Sequence, residues 1–196
     1  MRLTVSAIFC IFCYDRNNGY QMHLTAVMER YIVHWGEMGT RWGVNRSVAQ
    51  IHALLYLSPE PQHADEIVET LQIARSNVST SLRELETLGL VKRVQMLGDR
   101  RDHFTAIKDN WETLLAIVES RKAKEIDPTI AVLRDCVAQA AKDRETPAEI
   151  KERIESMLTF VETLDGWYVQ VKGLPKSTLI ALMKMGARVA RFVGRG

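Results

Sequence analysis

The sequence predicts a mainly α-helical protein that carries one small β-hairpin, and three observations predict it. Two short helical segments, 64–71 and 75–88, stand three residues apart. The chain then switches to β character on both sides of a Leu97-Gly98-Asp99-Arg100 turn. From residue 109 onward it is almost wholly helical again.

In order, residues 22–42 read as a first helix, with Val27, Tyr31, Val33 or His34, and Met38 at helical spacing. Gly43 and Asn45 end it. A second helix spans 47–57 with Ile51, Leu54 and Leu55 inward, and Ser58-Pro59-Glu60-Pro61 stops it. The third helix, 64–71, has Asp65 and Glu66 in its first turn, where carboxylates complement the positive helix end. Gly89 suits a left-handed cap for the fourth helix, 75–88. Strands follow at 90–96 and 101–107. Helices are then expected at 109–142, 147–170 and 175–193. Pro128 should kink or interrupt the first of these, because it lacks a donor and clashes with the preceding turn.

Composition sets bounds on function without choosing one. The 196-residue chain is 46% hydrophobic with a formal net charge of +2, so any nucleic-acid partner needs locally placed basic groups. Cys10, Cys13 and Cys136 form neither a disulfide framework nor a zinc pattern, which suits a reducing cytoplasm. His23, His34, His52, His63 and His103 lack metal-ligand spacing and read as structural or surface groups. With no P-loop, dinucleotide fingerprint or nucleophile elbow, neither an enzyme nor a cofactor is expected. Residues 1–21 differ from the rest, with an apolar run from Leu3 to Tyr14. That run suggests a signal lacking a cleavage site, or a peripheral or over-extended start before Met22, the last being favoured.

Winding 76–88 at 100° per residue puts Val78, Leu82, Leu85 and Leu88 on one side. Ser76, Thr80, Arg83 and Thr87 fall opposite, flanked by Asn77 and Ser79. Short hydroxyl and amide groups let a backbone approach a groove floor. Asn pairs bidentately with adenine and Arg with guanine, while Ser and Thr reach phosphates. An ordinary solvated helix face is the competing reading. Arg100 and Arg101 then crown the hairpin, and a narrow tip bearing arginines can enter a minor groove. Asp99 is spaced to pair with Arg101 and direct it, against the plainer reading of a charged, solubilising turn.

Leu71-Gln72-Ile73-Ala74-Arg75-Ser76-Asn77-Val78-Ser79, Leu82-Arg83-Glu84-Leu85-Glu86, Leu88-Gly89-Leu90-Val91 and the Asp99-x-Arg101 hairpin together resemble the MarR superfamily of winged helix-turn-helix regulators. The resemblance is closest to its GbsR-like branch and most specific over 60–107. Gln72 stands where the turn usually has Gly, and Ala74 where a Ser usually caps, so Ser76 is an alternative cap for a later start. The resemblance implies a cytoplasmic homodimeric regulator of gene expression, repressor or activator, and the helix face and hairpin assign contact with double-stranded DNA to Arg75, Ser76, Asn77, Ser79, Thr80, Arg83, Arg100 and Arg101. It divides the chain into 1–21, a DNA-binding domain at 22–108 and a helical dimerisation region at 109–196.

Terminal helices are the expected dimer material, with an apolar stripe of Leu179, Leu182, Met183, Val189 and Phe192 beside Lys176, Lys184, Arg188, Arg191 and Arg195. Such a basic stripe also fits phosphate contact or a membrane surface. Tyr31, Trp35, Trp42 and Trp111 are candidate ligand residues, because GbsR-like proteins answer choline-type osmoprotectants and aromatic faces hold quaternary ammonium. Packing of the core or the dimer interface is the plainer and preferred account of those rings. A winged-helix protein-interaction module that does not touch DNA is the alternative function.

Overall fold

The computed structural model describes residues 22–185. The elements are α1 (Ala26–Arg41), α2 (Arg46–Leu57), β1 (Gln62–His63), α3 (Ala64–Leu71), α4 (Arg75–Thr87), β2 (Val91–Gln95) and β3 (Asp102–Ala106). They continue as α5 (Asn110–Arg121), a π-helical turn (Lys122–Ile126), α6 (Asp127–Ala140), α7 (Ala148–Lys172) and α8 (Lys176–Met185). The chain divides into two units, 1–109 and 110–196. The first 21 residues, with Cys10 and Cys13, lie outside the described part, as do Arg188, Val189, Arg191, Phe192 and Arg195.

In the first unit α1 starts later than its apolar spacing suggests. The Thr25 hydroxyl accepts from the Met28 N–H at 3.4 Å and caps the helix there. α1 packs on α2 through Gly39. A Cβ at that position would come within 2.5 Å of the Ala49 Cβ, so only glycine admits so close a backbone approach. α2 supplies the heart of the core, with Ile51, Leu54 and Leu55 at most 1% exposed. Its last carbonyls are closed by a cation. The Lys108 Nζ donates to the carbonyls of Leu55, Tyr56 and Ser58 at 2.6, 2.8 and 2.6 Å.

Between α3 and α4 the chain turns through Gln72, which adopts left-handed φ 53° and ψ 42° although it is not glycine. Its side chain donates to the Glu69 carbonyl at 2.6 Å, which helps hold the turn. α4 begins at Arg75 after Ala74, with no side-chain cap, so Ser76 does not shift the start. Val78, Leu82 and Leu85 are sealed inward, in a helix that packs on α2 and α3.

The sheet has antiparallel order β1-β3-β2. β1 is a two-residue strand that nothing in the apolar pattern announces; it pairs Gln62 with Phe104 and His63 with His103. The hairpin closes where the Asp99 N–H donates to the Met96 carbonyl at 3.1 Å and Gly98 takes φ 87°. Arg93 ties the hairpin to α4. Its guanidinium donates to both Glu86 carboxylate oxygens at 3.1 and 3.0 Å and to Asp102 at 2.9 Å, and it lies 5.6 Å over the Phe104 ring.

In the second unit Pro128 follows the π-helical turn and occupies the first turn of α6, where its missing N–H costs little. The expected long helix is therefore interrupted before the proline. α7 is tied to α5 by Glu119, which accepts from the Tyr168 hydroxyl at 2.8 Å and from Lys172 at 2.6 Å. Lys122 bridges to Asp165 at 3.0 Å, and Arg134 of α6 to Glu162 at 2.7 Å. Burial, reinforced by Glu119, pushes the Tyr168 hydroxyl up to about 12. No residue of α5 or α7 is buried.

Two predictions follow from the first unit's core and its arginine tie. His52 is 7% exposed on α2, its Nε2 meets no partner among the described residues, and burial and then Lys108 push its pKa down to about 4. The unfolded chain takes up this proton first, so its contribution is complete above about pH 6.5 and fades as pH falls toward 4. The loss amounts to roughly 3 kcal/mol, read from urea unfolding at several pH values. His52→Leu should flatten that decline, and an unchanged slope assigns it to another group. For the tie, Arg93→Ala should speed amide exchange in β2 and β3 severalfold while α2 stays protected. Equal acceleration in α2 would mean that Arg93 supports the whole unit instead.

Candidate nucleic-acid interface

α4 is the element with a chemically distinct outer side. Because Val78, Ser81, Leu82 and Leu85 are buried, helical geometry turns Arg75, Ser76, Asn77, Ser79, Thr80 and Arg83 outward, and all six are exposed. None of the six is bulky and apolar. The helix start is also accessible, since Ala74 contributes no oxygen to the first free N–H groups.

The hairpin stands beside this helix. A cleft of about 310 Å³ has Arg75, Ser79 and Arg83 on its α4 side and Arg93, Arg101 and Phe104 on its sheet side. The sequence-derived residues are thus brought together in part. Ser76, Asn77 and Thr80 lie on the exposed helix surface outside that cleft lining, and Arg100 is an exposed residue of the hairpin.

Carboxylates hold most of these arginines. Asp99 accepts from the Arg101 Nε at 2.9–3.0 Å, from its Nη2 at 2.5 Å and from its backbone N–H at 2.9 Å. Those bonds hold the Asp99 carboxyl well below the usual carboxylate range. Arg75 pairs with Asp65 of α3, and Arg93 with Glu86 and Asp102. Among the described residues no hydrogen bond or ion pair holds the Arg83 or Arg100 guanidinium. The surface therefore offers two uncommitted guanidinium groups and several pre-aimed ones, a pattern suited to polyanions.

Sequence reasoning missed two participants. Arg93 reads as one more exposed strand residue until the fold places Glu86 across from it, seven positions away. His63 reads as a scattered histidine, yet its Nδ1 faces the first free N–H groups of α3 and its Nε2 lies 2.9 Å from the Arg101 Nη1. A polar residue directly before Ala-Asp-Glu was the available signal for a cap. Of the candidate ligand residues, Tyr31 and Trp35 stack on each other at 5.5 Å and 9°. Trp42 is exposed just past the end of α1, and Trp111 belongs to the second unit. Among the described residues, no group of three or more His, Cys, Asp or Glu side chains is placed to hold a metal ion.

Residues 42–102, which include the α3–α4 pair and most of the hairpin, match the sequence model of the MarR family. The chain is 24% identical over 139 residues to the HTH-type transcriptional repressor GbsR of Bacillus subtilis (strain 168), covering 69% of this chain and 77% of that protein. A crystal structure of a transcriptional regulator superposes with a TM-score of 0.53 at 18% identity, covering 74% of this chain and 99% of the other. That likeness shows the fold, mostly helical with a small antiparallel sheet. Over residues 42–102 the chain is thus similar to the MarR family, and over 69% of its length to a GbsR repressor.

Proposed function

We propose that this chain is a transcriptional regulator that binds specific sequences in duplex DNA as a homodimer, repressing as its GbsR relative is named to do. The observation that carries the reading is the α4 surface: its aliphatic side is sealed, and its short polar side shares one cleft with the arginine-bearing wing. In this reading Asn77 and Arg83 meet base edges, while Arg75, Ser76, Ser79 and Thr80 set the register on phosphates. Arg100 and Arg101 reach the minor groove, with Asp99 aiming Arg101. The relatives are regulators rather than enzymes. No described helix is long and apolar enough to cross a membrane. Action in the cytoplasm is part of the same proposal.

The dimer is supported by what the second unit leaves uncovered. On α7, Ile150, Met157, Phe160, Leu164 and Trp167 are each 40–63% exposed. With Arg153 they repeat at alternating steps of three and four, the spacing of a coiled-coil seam. A second copy laid on this stripe gives α7 the buried side it lacks within one chain. Two linked reading heads then sit in successive major grooves about 34–36 Å apart. An effector of the choline or betaine class is a further part of the proposal. Trp42 is its most accessible aromatic group, since Tyr31 and Trp35 each spend one face on the other.

Binding to a duplex selected in vitro from random sequence tests the main claim. Arg101→Ala should weaken binding about tenfold and reduce the salt slope by about one. Asn77→Ala should relax the preference at one base pair by about 1–3 kcal/mol. Selection of no duplex, or indifference to both substitutions, favours a winged-helix module that recognises protein. Independently, Leu164→Asp should convert a dimer to a folded monomer in light scattering. Retention of the dimer would place the seam elsewhere.

A further inference from the structure

His63 stands between two claimants. On one side its Nδ1 faces the backbone N–H groups of Asp65 and Glu66 at 3.2 and 3.4 Å, the first free donors of α3. On the other its Nε2 faces the Arg101 Nη1 at 2.9 Å. All three neighbours are donors. A neutral imidazole has one accepting nitrogen, the other carrying the proton. The ring therefore serves the helix or the wing arginine, and cannot serve both at once.

The surroundings accommodate either arrangement. When Nδ1 accepts from α3, the Nε2 proton points toward Glu66, whose Oε1 is 3.5 Å away. When Nε2 accepts from Arg101, the Nδ1 proton faces the two α3 N–H groups and is drawn only electrostatically by the Asp65 carboxylate, 3.9 Å away and beyond hydrogen-bond distance. Glu66 also accepts from the His63 backbone N–H at 2.8 Å, so the capping box keeps one bond in both arrangements. His103 packs edge-on at 5.5 Å, and Asp99 lies 3.6 Å from its Nε2. The His63 ring stays neutral near pH 7. Burial holds its pKa down, Arg101 and His103 add to that, and Glu66 and Asp99 oppose them. The choice at that pH is therefore between tautomers. The contact to Arg101 is shorter and charge-assisted, which favours the wing in the free protein.

We propose that His63 is a positioning residue that couples the wing to α3 through one lone pair: with Arg101 docked the ring holds the arginine, and when Arg101 leaves for a duplex the ring turns its lone pair to α3 and caps it. Wing engagement and the ordering of α3 then strengthen together. The coupling rests on the DNA-binding reading only for what draws Arg101 away.

Nitrogen-15 imidazole spectra of the full chain at neutral pH, with His63 assigned by its absence from His63→Asn, read the tautomer directly. The free protein should carry its proton on Nδ1, and Arg101→Ala should move it to Nε2. Amide exchange at Asp65 and Glu66 should slow about fivefold in Arg101→Ala. In His63→Asn, whose amide oxygen caps but cannot reach the wing, adding Arg101→Ala should leave those amides unchanged. The same tautomer with and without Arg101, or a fivefold effect that persists in the double variant, overturns the proposal. A bound duplex should reproduce the Arg101→Ala tautomer. If no duplex binds, the DNA reading falls while the Arg101→Ala comparison still decides the coupling.

Discussion

The burial of one side of α4 is the constraint from which the rest of the first unit follows. Val78, Leu82 and Leu85 are 0–3% exposed in a helix that packs on α2, and a helix held by three such side chains cannot rotate without opening a cavity. Rotation by one residue, about 100°, would bury a serine or arginine in their place. The outward face is therefore set by what lies inside. α2 can act as the anvil because its own packing on α1 is unusually close at Gly39 and its frayed end is closed by Lys108.

The wing is positioned by polar contacts rather than by a second hydrophobic core. The hairpin's outer strand contributes Val91 to the interior, but its middle is held by Arg93 between Glu86 and Asp102. Surface ion pairs taken singly stabilise little. Here one guanidinium serves two carboxylates and an aromatic face, so its geometry is over-determined. Asp99 does the same for Arg101 at the far end of the hairpin. A wing fastened this way keeps its direction while remaining able to exchange partners, which a wing buried by leucines could not do.

The helices were legible because periodicity and punctuation agreed. α3 begins and ends at the expected residues, since Asp65 and Glu66 mark its first turn and Gln72 breaks it. Ala74 was rightly read as a missing cap, but the helix starts there anyway, because burial of Val78 and Leu82 outweighs roughly 1 kcal/mol of capping. β1 escaped notice because two residues carry no period, and its existence depends on β3 lying alongside. The outward residues of α4 were legible for the same reason that its core was, as the complement of an aliphatic stripe. The roles of Arg93 and His63 were not legible, because each depends on a partner brought near only by tertiary structure. The α7 stripe lay open in the spacing of Met157, Phe160, Leu164 and Trp167 and went unread beside the more obviously basic last helix.

Paired arginines on a surface proposed to bind DNA invite an objection, since every carboxylate there weakens attraction to phosphate. The objection mistakes affinity for selectivity. Phosphate contact is nearly independent of sequence, so a surface of wholly unpaired arginines would bind any duplex and spend most of its time on wrong ones. An arginine already satisfied by Asp99, Asp65 or Glu86 gains from DNA only where the duplex offers a better geometry than the carboxylate does. Under the proposed function, uncommitted Arg83 and Arg100 supply attraction, and the committed ones supply discrimination. A chain with a net charge of +2 can thus act on DNA without a general excess of positive charge, because what matters is which cations are free to move.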